Sequence, residues 1–239
     1  MVTRTGTFDH GLQLPRQQVI EAIRDLLTSG SRDQLEKAFN ARGPLLDRAL
    51  SASRLIIAGD AAQLPTWQRY SGVVWSHLDP VTLSVSQRRR ILVPSGLYGI
   101  TTGTDLVADY RLKMNVGLPS IGNLASFWRR NLAPTLEEFL QGATVVNLLP
   151  KEHAASLDLS WMSKHCRLTN ISFFEHGGAR AAGHDAKAVK GILARRVLTE
   201  NLAVLESFEW EGWRAHLHHH ELRVIGPRAR SKGFNDSST

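Results

Sequence analysis

"PSGLYGITTGTDLVADYRLKM", residues 94–114, is the stretch on which the reading of this chain turns. The apolar run "RILV" at 90–93 leads into it as a strand. Ser95, Gly96, Tyr98, Asp105, Tyr110 and Arg111 then follow close together. A simple strand connection needs a glycine and an aspartate, so this density of hydroxyl, carboxylate and guanidinium groups asks for a further use; Ser95, at a strand end before Gly96, could face a ligand, although a serine in a turn is ordinary. Arg111, read as a partly buried cation, is expected to sit beside Asp105, Asp109 or Glu152, because an unpaired buried charge is too costly to keep.

Upstream, Pro15 is placed to open a helix, and Val19, Ile20, Ile23, Leu26 and Leu27 repeat at helical spacing until Gly30. Ser31 with Gln34 forms a capping box for a second helix, and "PLLDRAL" at 44–50 starts a third, so residues 1–53 read as helical. From Arg54 the pattern changes. "RLIIAG" (54–59), "GVVWSHL" (72–78) and "RILVPSG" (90–96) each read as a short strand. "LASFWRRNLAPTLEEFLQG" (124–142) is helical, with Leu124, Phe127, Trp128, Leu132, Leu136, Phe139 and Leu140 on one side, Gly142 as the stop and a kink expected at Pro134. "ATVVNLLP" (143–150) and "LTNISFFE" (168–175) are further strands, "DAKAVKGILARRVLTEN" (185–201) is a basic amphipathic helix, and "LRVIGP" (222–227) closes the pattern. Strands alternating with helices give a mixed α/β class, read as one domain over 1–227, with a mixed sheet flanked by helices and a polar tail at 228–239.

The 239 residues are 42% hydrophobic, enough for a real core, and carry a formal charge of +7 with a pI near 10.0. Such an excess favours polyanionic partners, nucleic acid first among them. Cys166 is the single cysteine, which excludes an intrachain disulfide and a cysteine-based metal centre and points to a reducing compartment. The N-terminal residues lack the apolar core of a signal peptide and no apolar run is long enough to span a bilayer, so the expected location is the cytoplasm, with no membrane partner.

Among candidate chemical groups, His216, His218, His219 and His220 form a dense run, but no HExxH-like spacing accompanies them. They read as a solvated hairpin, and no metal or other cofactor is expected. Neither GxGxxG nor GxxxxGK[ST] occurs, and "HGGARAAGH" at 176–184 reads as a flexible loop. Glu152 follows a buried strand and reads either as a general acid or base or as the first turn of a helix. The basic helix offers Lys187, Lys190 and Arg195, and "SFWRRN" adds Arg129 and Arg130 beside Trp128, together a surface suited to a phosphate backbone.

Taken in order, these pieces resemble the YaaA family of bacterial peroxide stress proteins. The family's "SGLYG", then "D", then "YRLxM" is similar to Ser95–Gly99, Asp105 and Tyr110–Met114. Its "FW" resembles Phe127 and Trp128, its "NL" with a following glutamate resembles Asn147, Leu148 and Glu152, and its "ISF" and basic helix resemble Ile171–Phe173 with Lys187, Lys190 and Gly191. The family's "SPAK" strand has no counterpart here, and Lys113 stands where the family favours an acidic residue. The resemblance implies a single α/β domain with a basic cleft, the polar 94–114 segment lining that cleft as a ligand site held by a strand end, DNA binding and a role in limiting oxidative damage. Two rivals remain. One is an enzyme using the same cleft on a nucleobase, nucleoside or other small polar molecule, with Glu152 as acid or base, Arg111 and Lys187 as anion clamps and Tyr98 or Trp128 as a stacking surface. The other is an interaction module without chemistry.

Overall fold

Local sequence signals place most of the helices, and packing decides the segments where those signals are ambiguous. The computed structural model describes residues 3–218 and 221–228. Helix α1 (Asp9–Ser29) begins earlier than Pro15 suggested, and that proline lies inside it. Asp9 secures the early start, since its carboxylate accepts from the Thr5 N–H at 2.8 Å and from the Arg16 guanidinium at 2.8 Å. Helix α2 (Arg32–Phe39) has the Ser31/Gln34 capping box and ends at Asn40 in the left-handed conformation.

Helix α3 (Gly43–Ala58) absorbs "RLIIA", expected above as a strand. A short apolar run cannot by itself be told from one turn of a buried helix. Here Leu46, Ala49, Ser53 and Ile56 continue a single buried stripe, and Gly59 terminates it. After β1 (Gln63–Pro65) and α4 (Thr66–Arg69), "GVVWSHL" is likewise a helix rather than a strand, α5 (Val73–Leu78). Helix α6 (Val85–Arg89) has its own capping box from Ser84 and Gln87.

Strands β2 (Leu92–Ser95) and β3 (Gly99–Thr102) form an antiparallel hairpin, β4 (Leu106–Ala108) pairs with β1, and β5 (Gly117–Leu118) pairs with β6 (Gly122–Asn123). Helix α7 (Leu124–Leu140) follows, capped by the Asn123 side chain, which accepts from the Ser126 N–H at 3.1 Å. The remaining elements are β7 (Thr144–Asn147), α8 (Lys151–Ala154), α9 (Leu159–His165), β8 (Arg167–Phe174), α10 (Gly183–Thr199), α11 (Val204–Ser207), β9 (Glu209–Trp210), β10 (Trp213–His218) and β11 (Glu221–Ile225). The fold is mixed α/β, as the alternation of elements implied.

Packing divides the chain into two compact units interleaved along the sequence. The first takes in α1 to α4, α6 to α9 and the three two-stranded sheets, around a core that includes Leu12, Val19, Ile23, Tyr98, Leu124 and Trp128. Gly99 is required there: its φ is 73°, and a Cβ at this position would lie 2.6 Å from the Trp128 ring. The second unit is built on a five-stranded sheet in the order β7-β8-β11-β10-β9, with β8 and β11 parallel and β10 antiparallel to both β11 and β9. One face of this sheet buries Ile171, Phe173, Leu222 and Val224 with Val189, Leu193 and Val197 of α10. On its other side α10 receives α5, whose backbone approaches so closely that a Cβ on Gly191 would meet the Val74 carbonyl oxygen at 2.4 Å.

Candidate nucleic-acid interface

The polar groups of residues 94–114 are consumed within the first unit. Ser95, 2% exposed, accepts from the Tyr98 N–H at 2.9 Å and lies 2.7 Å from the Tyr110 hydroxyl, which in turn lies 2.5 Å from the Tyr70 hydroxyl. Burial raises the Tyr70 and Tyr110 hydroxyls above the ordinary phenol range, and pushes Tyr98 up to about 12. The Tyr98 hydroxyl accepts from the Ala108 N–H at 2.9 Å. Asp105 accepts from the Thr7 hydroxyl and N–H at 2.7 and 3.0 Å and from the Thr102 N–H at 2.8 Å. Trp128 donates its indole N–H to the Gly96 carbonyl at 2.8 Å. Tyr98 and Trp128 are each fully buried, so neither presents a ring face on which a base could stack.

Arg16 completes this scaffold, and the sequence did not single it out. Its guanidinium has no exposed surface and donates to the carbonyls of Tyr98 (3.1 Å), Ile100 (3.3 Å) and Thr3 (3.0 Å) as well as to Asp9. Burial lowers its pKa, and the Asp9 carboxylate opposes that shift.

Arg111 is bound differently from the expectation. It donates to the carbonyls of Phe39 (3.0 Å) and Asn40 (2.9 Å), not to a carboxylate. The left-handed turn at Asn40 ends α2 and leaves its last carbonyls without helical partners, and a cation is favourable at that negative end. The three carboxylates proposed for Arg111 lie elsewhere: Asp105 as above, Asp109 at 2.9 Å from Arg48, and Glu152 exposed in the first turn of α8 at 3.9 Å from His153.

In the second unit, Asn147 donates to the Asn170 side-chain oxygen at 2.8 Å. Lys187 is exposed on α10. Lys190 is half-buried with its ammonium 5.3 Å from the Phe173 ring centroid, and desolvation lowers its pKa. Arg195 donates to the carbonyls of Leu78 and Asp79, each at 3.1 Å, and so caps the C-terminus of α5. The basic helix therefore spends Arg195 on structure.

The opposite face of the sheet holds a cluster that the sequence reading missed. "HGGARAAGH" is not simply a loose loop: Glu175 N–H bonds to the Ala179 carbonyl at 2.8 Å and Ala181 N–H to the Phe173 carbonyl at 2.8 Å, folding the segment back so that Arg180 bridges to Phe174. The Arg180 guanidinium lies 5.4 Å from the Phe174 ring centroid and the Arg223 guanidinium 5.2 Å from it. Ser172 donates to Glu221, Arg180 donates to Ser172 at 3.3 Å, and Arg223 donates to Glu221 at 3.2 Å. Ser172 foremost, then Arg223, hold the Glu221 carboxyl below its ordinary value. The register pairs Arg223 with both Ser172 and His216, which sets Arg223, Ser172, Phe174 and the exposed His216 on one face. Alternation in "NISFF" and "ELRVI" carried this signal. What the sequence could not supply was the pairing of β8 with β11.

The model of the peroxide stress protein YaaA matches residues 6–218 of this chain. The chain belongs to the YaaA family. Among its relatives, a UPF0246 protein of Streptomyces coelicolor is 28% identical over 208 residues, 84% of this chain and 77% of that protein. One from Bordetella petrii is 31% identical over 60% of this chain and 59% of its own length, and one from Bacteroides thetaiotaomicron is 25% identical over 77% and 76%. Within this YaaA family member, the stretches that carried the resemblance divide between the units. The 94–114 segment supports the core of the first, while "ISF" and the basic helix build the sheet unit of the second. His216 is exposed on β10, and His219 and His220, like the tail beyond Arg228, lie outside the described residues. Among the described residues no helix is long and apolar enough to cross a membrane.

Proposed function

We propose that this chain is a DNA-binding YaaA family member acting in the bacterial cytoplasm in defence against peroxide stress, and that the open face of the five-stranded sheet holds the nucleic acid. The observation that carries this reading is the half-buried Phe174 ring with a guanidinium 5.4 Å away on one side chain and 5.2 Å away on another. A sheet face that offers cations for phosphates and an aromatic ring among them is the arrangement on which unpaired bases and backbone are commonly held. The net charge of +7 supports long-range attraction to a polyanion. Arg180 and Arg223 bind the backbone, Phe174 meets a base or sugar, and Glu221 with Ser172 keeps Arg223 in place. Lys187 is exposed on α10, which packs on the other face of the sheet, and adds only to the overall charge.

The test is fluorescence anisotropy on labelled single-stranded and duplex oligomers across a salt series. The slope of log K against log salt is about 0.9 per phosphate neutralised on duplex and about 0.7 on single strands. Arg180→Ala combined with Arg223→Ala is expected to reduce that slope by about one to two contacts. Absence of binding at low salt, or wild-type affinity and slope in the folded double variant, would remove the proposal. The rival enzyme reading rests on Glu152, which is exposed; turnover of a nucleoside or nucleobase that Glu152→Gln abolishes without loss of affinity would favour it instead.

A further inference from the structure

A recessed surface lies wholly within the first unit, and neither the sheet face nor the hydroxyl scaffold uses it. It is a groove of about 600 Å³ between α2 with its cap and the segment leading into β5 and β6. Its size falls in the range of small-molecule sites, roughly 300–1,000 Å³. The floor is apolar, with Leu26 and Leu118 at 2% and 1% exposed. The rim is polar: Lys37 and Asn40 on the α2 side, Lys113 and Asn115 on the other, all four exposed.

Two features make this rim unusual. No carboxylate lines the groove, and among the described residues neither Lys37 nor Lys113 has an acidic partner within salt-bridge distance. The walls are also tied together rather than loosely apposed. Arg111 precedes Lys113 by two residues and donates to the carbonyls of Phe39 and Asn40, which anchors the segment carrying Lys113 to the end of α2. Asn40 itself is fixed in the left-handed conformation, with φ 44° and ψ 53°. Arg111 thus positions the groove without entering it.

We infer that this groove is a binding site for a small phosphomonoester with an apolar or aromatic body. A lysine ammonium is a compact point charge suited to phosphate. Two such charges with no acidic partner within salt-bridge distance match a phosphomonoester, which carries about −1.5 to −2 at neutral pH. A monocarboxylate would leave one ammonium uncompensated. Leu26 and Leu118 take the organic body, and Asn40 and Asn115 supply amide groups for its polar substituents.

The experiment is calorimetric titration of the full-length protein with phenyl phosphate, inorganic phosphate and phenylacetate. Phenyl phosphate is expected to bind saturably, at least tenfold tighter than either of the other two. Lys113→Glu and Lys37→Ala are each expected to weaken it tenfold or more. Lys164→Glu, an exposed lysine outside the groove, is expected to leave it unchanged. Because Lys37 and Lys113 are exposed, their variants should fold, which circular dichroism checks. The inference is overturned if phenyl phosphate does not saturate the wild type, if phenylacetate binds as tightly, or if Lys164→Glu weakens binding as much as Lys113→Glu. Because the groove is tested with monomeric ligands and the sheet face with oligomers and different variants, either can fail without the other.

Discussion

Two regions of this protein are rich in hydrogen-bonding side chains, and they put them to opposite uses. From the end of β2 to just past β4, Ser95, Tyr98, Asp105 and Tyr110 close their bonds on one another and on neighbouring groups, with Arg16 donating to the carbonyls of Tyr98 and Ile100. On the open sheet face, Arg180 and Arg223 share Ser172 and Glu221 yet remain partly exposed around Phe174. Polar density alone therefore does not mark a binding surface. A buried polar group must find its partners inside the protein because the cost of leaving it unpaired is high, whereas a surface cluster can keep donors for a ligand.

The comparison breaks first at Arg16. If it is the keystone of the buried network, Arg16→Ala should cost about 3–5 kcal/mol, the usual price of breaking a buried ion pair. Urea unfolding measures this, and a loss below about 1 kcal/mol would mean that the network is incidental. Next, Tyr110→Phe removes the middle hydroxyl of the chain joining Tyr70 to Ser95 and should cost about 1–3 kcal/mol while leaving DNA affinity unchanged. Altered affinity in that variant would return the segment to the binding surface.

The opposite pattern is expected at Arg180. Its exposed position limits the stability effect of Arg180→Ala to about 0.5 kcal/mol, but the salt slope of DNA binding should fall by about 0.9. The smallest effect concerns Glu221. Its carboxyl is held below its ordinary value when folded, so the folded state binds fewer protons than the unfolded one near acid pH, and the stabilisation is present above the unfolded pKa and lost as pH falls through the folded one. Glu221→Gln should therefore be less stable than wild type by up to about 1 kcal/mol at pH 7, with the gap closing under acid conditions. Equal gaps in neutral and acid unfolding curves would show that the Ser172 and Arg223 contacts do not stabilise the folded state.

Much of the fold could be read from the chain. The Ser31/Gln34 capping box, the Leu124–Leu140 helix and the apolar stripe of α10 are local features, and local spacing is enough to recognise them. The errors came where short apolar runs lacked a deciding neighbour. "RLIIAG" and "GVVWSHL" are each compatible with strand or helix, and each is helical because a stripe or a partner helix buries it. The site was less legible. Arg111 needs a partner, and that partner is the pair of carbonyls at the end of α2, more than seventy positions away.

The sequence by itself determined the α/β class, the basic charge, the Ser31 cap and the family, because these depend on composition, on spacing within a few residues and on motif order. It also determined that Gly99 and Gly191 were glycines, without saying why. The tertiary structure decided which polar residues are enclosed and which stay exposed. That outcome depends on contacts between residues far apart in the chain: Arg16 reaching Tyr98, Trp128 reaching Gly96, and β11 lying parallel to β8 so that Arg223 stands beside Ser172. Side-chain chemistry fixes what a group can bind, and burial by distant segments fixes whether water or a ligand can still reach it.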